Sequence, residues 1–495
     1  MQDASGALDQ TLKCNGVSLS NLPFSSPQDK IEPCSLTAVS SAINVKATAT
    51  FESKNDGISS ANVSTTVVLP AIPLGRSSSF GQGNREVSVS VLIERYTLAW
   101  CQQKGEFDTS KLEFNGIRFM SLLLKHTKFY TKSDVDYKKN LGFIEKFDLA
   151  PEPLPQFFVR ADLHGDLKSL IENLRTLRNQ GQLDENFKCQ PGVHLIFLGD
   201  YCDRGQYGTQ IIELLALLCQ ENPQNVHLVR GNHEDIALNK MLCGNDKRLK
   251  TILDGTYTSN SLDWFYKTLP LTIYFSINGA AQRQYVQFTH ALFEPTMDPA
   301  SLLAQSTPYA YQVVPKSRQL SERIKLIAES GNTADPIVTA AQRLAQIARD
   351  SVFMPIEKEM TLYNWADIEY EDDEPSHLAG FHARRYRLNA NDIICYLKLS
   401  SPEHRVEMIF RGHGHIFEYL ADPDNEEKLI VTTLPIGMNC DKTYIRGYPD
   451  QLDRAYIIRT DVHVSNWTKQ AILRATSQEW SQEVTSFYPI HSQNI

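Results

Sequence analysis

Acidic, imidazole, amide and guanidinium side chains are concentrated in three short stretches, at residues 161–166 (ADLHGD), 199–205 (GDYCDRG) and 230–234 (RGNHE). The side chains able to take part in chemistry are Asp162, His164, Asp200, Asp203, Arg204, Asn232 and His233. Carboxylate, imidazole and amide ligands together suit Mn²⁺, Fe or Zn²⁺ better than Ca²⁺. Two such ions about 3.5–4 Å apart activate water and neutralise phosphoryl oxygens. This set of side chains therefore suits two metal ions and a phosphate ester.

Each stretch directly follows an apolar run, at residues 157–159, 193–198 and 226–229. Such runs are typical of buried strands, and ligands of α/β proteins bind beyond the carboxyl ends of parallel strands. After each stretch, apolar residues recur at helical spacing, over about 167–177, 209–219 and 235–242. The alternation predicts an α/β fold with a mainly parallel sheet, whose strand ends bring the three stretches to one place.

In this order, the three stretches resemble the signature of the phosphoprotein phosphatases (PPP) within the calcineurin-like metallophosphoesterases. The resemblance runs from about residue 157 to about residue 460 with one large interruption. It implies a metallophosphoesterase β-sandwich with helices on both faces (αββα). It also implies a dinuclear metal-dependent phosphatase that hydrolyses phosphomonoesters on Ser/Thr, and on Tyr as an extension, in phosphoprotein substrates. The resemblance favours Mn²⁺, with Fe and Zn²⁺ as alternatives.

The resemblance also implies the metal ligands. Asp162 and His164 are expected to hold one ion, and Asp200 to bridge both ions because only a carboxylate offsets two dications through one side chain. The ligands expected for the other ion are Asn232, His290 and His413. The stretch at 411–415 reads RGHGH where PPP enzymes commonly carry Arg-Ala-His-Gln, so His415 is a candidate further ligand. The alternative for His290 is a buried core histidine.

Four residues are candidates for the catalytic steps. His233 is expected to act as the general acid, with Asp203 as the carboxylate that keeps it protonated beside two cations. Arg204 offers a planar fork for two phosphate oxygens. PPP enzymes use a second phosphate-binding Arg from a later loop, and Arg384, within residues 381–387 (FHARRYR), is the candidate here.

Two other functions compete with protein phosphatase. A phosphodiesterase or nucleotide hydrolase of the same superfamily is favoured by the GHGH sequence at 412–415, whereas the pairing of Asp203 with Arg204 suits a dianionic monoester. A catalytically inactive binding scaffold is disfavoured by the intact candidate ligands.

The composition limits the partners and the compartment. A formal net charge of -9 without dense basic clusters argues against nucleic acid. The longest apolar runs fall short of a membrane span. The nine cysteines are scattered without a Cys-x-x-Cys pair, and the N-terminus lacks a cleavable signal peptide, which favours the cytoplasm. The chain also resembles bacterial effector phosphatases such as the Wip proteins, so secretion into a host cell without a cleaved signal peptide is the alternative.

The chain is predicted to have three parts. Residues 1–150 form a β-rich N-terminal accessory region, with strands at 43–51, 61–68 and 86–98 and a turn at 55–57. Residues 151–475 form the catalytic domain, in which residues 317–351 are inserted as a helical hairpin that is a candidate partner surface. Its later strands are predicted at 271–277, 285–289, 406–410, 429–433 and 455–460. Residues 476–495 are predicted to be a polar, frayed C-terminal tail.

Overall fold

The structure is a computed structural model of the chain. It describes residues 35–39, 42–50, 62–69, 87–101, 115–139, 142–244, 246–279, 282–293, 298–314, 322–331, 334–352, 364–368, 387–399, 405–414, 418–422, 425–434, 454–473 and 482–486. The chain divides into two compact units, Met1–Arg85 and Glu86–Ile495.

The first unit contains a three-stranded antiparallel sheet. Its strands are β1 (Ser35–Val39), β2 (Ala42–Thr50) and β3 (Asn62–Leu69), with β2 in the middle. The predicted strands at 43–51 and 61–68 are confirmed as β2 and β3. The predicted turn at 55–57 lies outside the described residues.

The second unit contains eleven described α-helices, and their bounds follow from the chain order. They are α1 (Val89–Cys101), α2 (Gly116–Tyr130), α3 (Leu167–Asn179), α4 (Gly208–Glu221), α5 (Ile236–Leu242), α6 (Lys247–Asp254), α7 (Thr256–Lys267), α8 (Ala300–Leu303), α9 (Glu322–Glu329), α10 (Pro336–Val352) and α11 (Ala390–Leu399). None of the helices in the described part of the chain is both long and apolar enough to cross a bilayer.

Two mixed sheets lie between these helices. In sheet order, the seven-stranded sheet consists of β10 (Tyr309–Val313), β4 (Phe143–Leu149), β8 (Thr272–Ile277), β9 (Gln284–Thr289), β13 (Arg405–Arg411), β15 (Asn425–Thr433) and β14 (Glu418–Asp422). The six-stranded sheet consists of β18 (Gln482–Ser486), β17 (Thr468–Leu473), β16 (Arg454–Arg459), β5 (Gln156–Arg160), β6 (Val193–Phe197) and β7 (Val226–Leu228). A small parallel pair joins β11 (Asp367–Ile368) to β12 (Arg387–Leu388).

The three motif strands β5, β6 and β7 are mutually parallel, as predicted. Side chains of a strand alternate between its two faces. Phe157 and Val159 accordingly pack between the two sheets, whereas Phe158 packs against the helices on the outer face. Both faces of β5 are therefore buried, which explains its unbroken apolar run. A third buried cluster covers the outer face of the seven-stranded sheet, and the resulting layers confirm the predicted αββα sandwich.

The predicted strand at 86–98 is wrong, because these residues form α1. The alternation of Val87, Val89 and Val91 suggested a strand. The buried residues are instead Val89, Leu92, Ile93 and Tyr96, whose spacing is that of one helix face. This face packs on α4, so tertiary packing decides between the two periodicities.

The division of the chain differs from the predicted boundary at residues 150 and 151. Helices α1 and α2 pack against α4, and β4 pairs in parallel with β8, so all three belong to the second unit. The predicted C-terminal tail also differs, because β18 pairs with β17 at the edge of the six-stranded sheet.

The predicted hairpin at 317–351 contains α9 and α10, which pack against each other and against α11. Ile324 and Leu344 are almost fully buried in the cluster over the seven-stranded sheet. The inner face of the hairpin is therefore part of the hydrophobic core.

Candidate active site

The carboxyl ends of five strands from both sheets meet at the candidate site. Asp162 and His164 follow β5, Asp200 follows β6, and two further side chains follow β7. The structure brings together seven buried site residues, Asp162, His164, Asp200, Asn232, His233, His290 and His413. His290 follows β9 and His413 follows β13, which contributes the second sheet. Arg384 and His415 lie outside the described residues.

Backbone hydrogen bonds join the loops that carry these side chains. The amide of His164 donates to the carbonyl oxygen of Asp200 (2.8 Å), and the amide of Gly412 donates to that of His290 (3.0 Å). Glu234 lies behind them and accepts from the amides of Asp200 (2.9 Å), Tyr201 (3.0 Å) and Gly231 (2.7 Å). One buried carboxylate therefore fixes the loops after β6 and β7 together.

The site residues adopt left-handed backbone conformations that are uncommon outside glycine. Of the six non-glycine residues with positive φ that the described ranges contain, five belong to the site: His164 (40°), Asp200 (55°), Asp203 (69°), Arg204 (61°) and His413 (64°). Such conformations cost about 1–3 kcal/mol each and cluster at functional sites, where the surrounding structure holds them in place.

Two glycines allow the backbone to approach the carboxylates. A Cβ atom at Gly231 would collide with the side chain and amide of Asp200, and one at Gly412 would collide with the carboxylate of Asp162. The glycines of RGNHE and RGHGH are thus required by the closeness of the strand ends.

Asp200 lies at the centre of the site, and its two oxygens face different groups. Oδ1 accepts a hydrogen bond from the amide of His233 (2.9 Å) and lies 3.3 Å from His290 Nε2. Oδ2 lies 3.3 Å from His164 Nε2. Burial alone would raise the pKa of Asp200, but the neighbouring imidazoles of His290 and His233 outweigh it and hold that pKa well below its usual value. Asp200 is therefore a carboxylate.

The hydrogen-bond partners of two imidazoles show where their free nitrogens point. His164 Nδ1 lies 3.0 Å from the carbonyl oxygen of Cys202, and His290 Nδ1 lies 2.9 Å from that of Leu198. Because a carbonyl oxygen only accepts, each Nδ1 carries the hydrogen and each Nε2 is left as an acceptor directed at Asp200. Burial, followed by the charge of Arg204, lowers the pKa of His164 to about 3, so this ring is neutral.

This arrangement fits a metal ion. An imidazole lone pair and a carboxylate oxygen 3.3 Å apart repel each other unless a cation lies between them. Asn232 Oδ1 adds a further acceptor, 2.7 Å from His290 Nε2 and 3.0 Å from His413 Nδ1. Oxygen and imidazole nitrogen atoms that converge without hydrogens between them are the ligands expected of Mn²⁺, Fe or Zn²⁺.

Two groups of ligand atoms within 4.8 Å of one another can be defined among the described residues. One contains His164, Asp200 and His233, and the other contains Asp162, Asp200 and His290. Asp200 belongs to both, as a bridging ligand would. The structure thus places His233 near one group, whereas the sequence prediction keeps it for proton transfer, and it groups Asp162 with His290 through an Oδ1–Nδ1 distance of 3.8 Å. That nitrogen donates to Leu198, so His290 presents Nε2 as its ligand atom.

Asp203, His233 and Arg204 form the second part of the site. His233 Nδ1 donates to Asp203 Oδ2 (2.8 Å). Burial lowers the pKa of His233, but Asp200 and the hydrogen bond from Asp203 outweigh it, so the net effect is a raised pKa. The Arg204 guanidinium spans the site, with Nη1 2.8 Å from His164 Nε2 and Nη2 3.2 Å from His233 Nε2.

Sequence reasoning missed Trp365. Its ring centroid lies 5.6 Å from that of His413 and 6.4 Å from that of His233, and the side chain is half-buried. A salt bridge between Asp367 Oδ1 and the buried Arg411 (3.0 Å) anchors the adjoining residues. An isolated tryptophan outside any motif gives no signal of this position, because only the tertiary fold brings it over the histidines.

Comparison with known proteins agrees with this site. The calcineurin-like phosphoesterase family profile matches residues 156–417, more than half of the chain. The chain therefore belongs to the calcineurin-like phosphoesterase family.

Among curated proteins, the serine/threonine-protein phosphatase BSL2 of Arabidopsis thaliana is 32% identical over 115 residues, covering 22% of this chain and 11% of that protein. The serine/threonine-protein phosphatase PP2A-like PPG1 of Saccharomyces cerevisiae is 37% identical over 110 residues, covering 22% and 26%. These alignments thus span about a quarter or less of each relative's own length.

Among solved structures, a Saccharomyces cerevisiae protein serine/threonine phosphatase with similarity to human phosphatase PP5 has a TM-score of 0.43 at 15% identity, covering 77% of this chain and 92% of that chain. A cold-active protein tyrosine phosphatase has a TM-score of 0.37 at 12% identity, covering 90% and 95%.

Proposed function

We propose that this protein is a dinuclear metal-dependent phosphoprotein phosphatase that hydrolyses phosphomonoesters of Ser and Thr, and also of Tyr. The observation that carries the proposal is the position of the Asp203–His233 pair and Arg204 beside the convergent ligand atoms around Asp200. An acid, a guanidinium and a metal-binding carboxylate within one buried cluster are the parts that phosphomonoester hydrolysis requires.

The ligand roles proposed are those suggested by the sequence. Asp162 and His164 would hold one ion, Asp200 both, and the remaining ligands of the second ion would be Asn232, His290 and His413, with Mn²⁺ as the favoured metal. When bound, the ions supply charge neutralisation and an activated water. His415 is proposed as an additional ligand of the first ion.

The remaining residues bind the phosphate and move a proton. Arg204 presents two N–H groups toward the site and would bind two phosphoryl oxygens, with Arg384 proposed as the second phosphate-binding arginine. His233 would hold a proton at Nε2 and donate it to the leaving oxygen. Asp203 accepts from Nδ1 and thereby orients the ring and stabilises its charged form.

The test is a substrate panel. Rates are measured on phosphoserine, phosphothreonine and phosphotyrosine peptides and on a bis-aryl phosphodiester, after chelation and after addition of Mn²⁺. We expect metal-dependent hydrolysis of the monoesters at rates well above that of the diester. Faster hydrolysis of the diester would instead favour the phosphodiesterase or nucleotide hydrolase alternative.

One observation favours a different role for His233, because it lies within ligand distance of His164 and Asp200. A carboxylate partner such as Asp203 also supports histidines that bind metals. The metal content of His233→Asn separates the two roles. Two ions per chain agree with an acid, whereas one ion shows that His233 is a ligand.

The proposal extends to a partner and a compartment. Leu326 on α9 is 66% exposed and supports a protein partner at the hairpin. Leu326→Glu should slow turnover of a phosphoprotein while leaving a small aryl phosphate unaffected, and equal rates on both would refute it. The five cysteines within the described residues are all free, which supports action in the cytoplasm, either of the producing cell or of a host cell. Reporter fusions would distinguish these compartments.

A further inference from the structure

Asp203 is held by a second buried side chain besides His233. Asn239 on α5 is fully buried, and its Nδ2 donates to Asp203 Oδ2 (2.7 Å) and to the carbonyl oxygen of His233 (2.8 Å). The same amide therefore contacts the carboxylate and the backbone of the imidazole that it orients. This geometry fixes the distance between the two members of the pair.

The orientation of the Asn239 amide follows from its neighbours. Asp203 Oδ2 and the His233 carbonyl are both acceptors, so the NH₂ group must face them. Asn239 Oδ1 then points to the hydroxyl of Tyr266, which donates to it at 2.9 Å. Tyr266 is also fully buried, on α7.

A cysteine completes the chain of hydrogen bonds. Cys202 Sγ lies 3.1 Å from the Tyr266 hydroxyl oxygen. Because the hydroxyl hydrogen is used toward Asn239, the thiol is the donor in this contact. The donors run in one direction from Cys202 through Tyr266 and Asn239 to Asp203, an order in which each bond polarises the next.

We propose that Asn239 and Tyr266 are positioning residues for the acid step, which hold Asp203 so that its carboxylate keeps the His233 imidazole aimed at the leaving oxygen. This inference rests on the proposed function, in which His233 is the general acid. Tyr266 acts through Asn239, because without its hydroxyl the amide is free to flip and to present its oxygen to the carboxylate of Asp203. Neither residue is assigned contact with the substrate.

The experiment compares Asn239→Ala and Tyr266→Phe with the wild-type protein on phosphoserine and on an activated aryl phosphate. For Asn239→Ala we expect kcat on phosphoserine to fall by roughly 10- to 100-fold, the range found for residues that orient ligands. For Tyr266→Phe, the loss of one hydrogen bond predicts a fall of about 2- to 10-fold. On the aryl phosphate, whose leaving group departs without a proton, both losses should be smaller.

Tyr285→Phe is the matched control. It also removes a buried tyrosine hydroxyl bonded to a carboxylate, that of Asp148 (2.8 Å), but in a network with no contact to His233 in the described residues. It should lower the melting temperature without changing the ratio of the two rates. Metal content and melting temperature are measured for every variant, and Tyr266→Phe tests the proposal if Asn239→Ala does not fold.

Equal losses on both substrates, or an unchanged rate on phosphoserine in a folded Tyr266→Phe protein, would overturn the positioning role. His233→Asn is run in parallel to separate the two levels of the argument. If it shows the dependence on leaving group and Asn239→Ala and Tyr266→Phe do not, only the positioning role fails. If His233→Asn itself lacks that dependence, the assignment of the general acid fails.

Discussion

Replacing Asp200 with asparagine tests how the two ligand groups share one carboxylate. The substitution preserves the shape of the side chain but removes its charge and turns one oxygen into an NH₂ group. The structure indicates which oxygen is lost. The amide of His233 donates to Oδ1 (2.9 Å), so the remaining oxygen should stay at that position. The NH₂ group then replaces Oδ2 and faces His164 Nε2, 3.3 Å away in the wild-type protein.

The consequence should be unequal for the two ions. The ion proposed to bind His164 loses a ligand and meets a hydrogen-bond donor, whereas the ion proposed to bind His290 keeps an oxygen. We expect Asp200→Asn to retain about one ion per chain instead of two. Loss of one ion of a pair removes several kcal/mol of transition-state stabilisation. Taken as roughly 3–5 kcal/mol, this corresponds to a fall of about 10²- to 10⁴-fold in kcat.

The assay is metal analysis of dialysed protein together with kcat on an aryl phosphate. Asp148→Asn serves as the control, because Asp148 is also a buried aspartate but binds Lys146, Ser276, Arg283 and Tyr285 outside the site. It should lower stability and keep both ions. An Asp200→Asn protein with two ions and normal turnover would refute the bridging role, and retention of only the His164-side ion would refute the orientation argument.

Three further outcomes follow from the structure. His233→Asn should keep both ions and lose roughly 10²- to 10⁴-fold in rate on phosphoserine but much less on an activated aryl phosphate, as single-turnover kinetics would show. Asp148→Ala should lower the free energy of unfolding in urea by about 3–5 kcal/mol, because it leaves the fully buried ammonium of Lys146 without its carboxylate; a change below about 1 kcal/mol would contradict this. Burial lowers the pKa of His194 to about 4 and, with His194, lowers that of its neighbour His227. Because the unfolded chain then binds more protons than the folded one, stability should fall as pH drops from about 6.5 toward 4, by about 2 kcal/mol at pH 5 for His194 alone; urea titrations of His194→Gln should show a shallower fall.

The sequence predicts the ligand-bearing strand ends because two independent signals coincide there. Apolar runs mark buried strands, and a glycine and charged residues directly after them mark a place where the backbone must turn tightly around polar groups. Gly231 and Gly412 illustrate the link, because each is needed where its strand end meets a carboxylate of the other loop. Such constraints act within a few residues and are therefore legible in a single sequence.

Other features depend on contacts between distant residues. Helix α1 was predicted as a strand because three alternating valines outweighed a helical face that is visible only once α4 is in place. There Tyr96 donates to the buried Glu213 (2.9 Å), which also binds Arg118 of α2. Two helices of the predicted accessory region are thereby fixed to the catalytic fold by a polar contact that no local pattern announces.

The candidate site shows the same division between local and distant signals. The residues proposed to bind metal and phosphate occur in short motifs, whereas those that hold them, Asn239 and Tyr266, are single polar residues within ordinary helices. Asn239 lies six residues after His233 and Tyr266 a further 27, on different helices, so only their packing behind Asp203 reveals a shared role. A buried tyrosine needs a partner for its hydroxyl, and this requirement is the one sequence-level hint that Tyr266 is tied to a polar network. The reacting groups of this site can thus be inferred from spacing, while the groups that orient them require the coordinates.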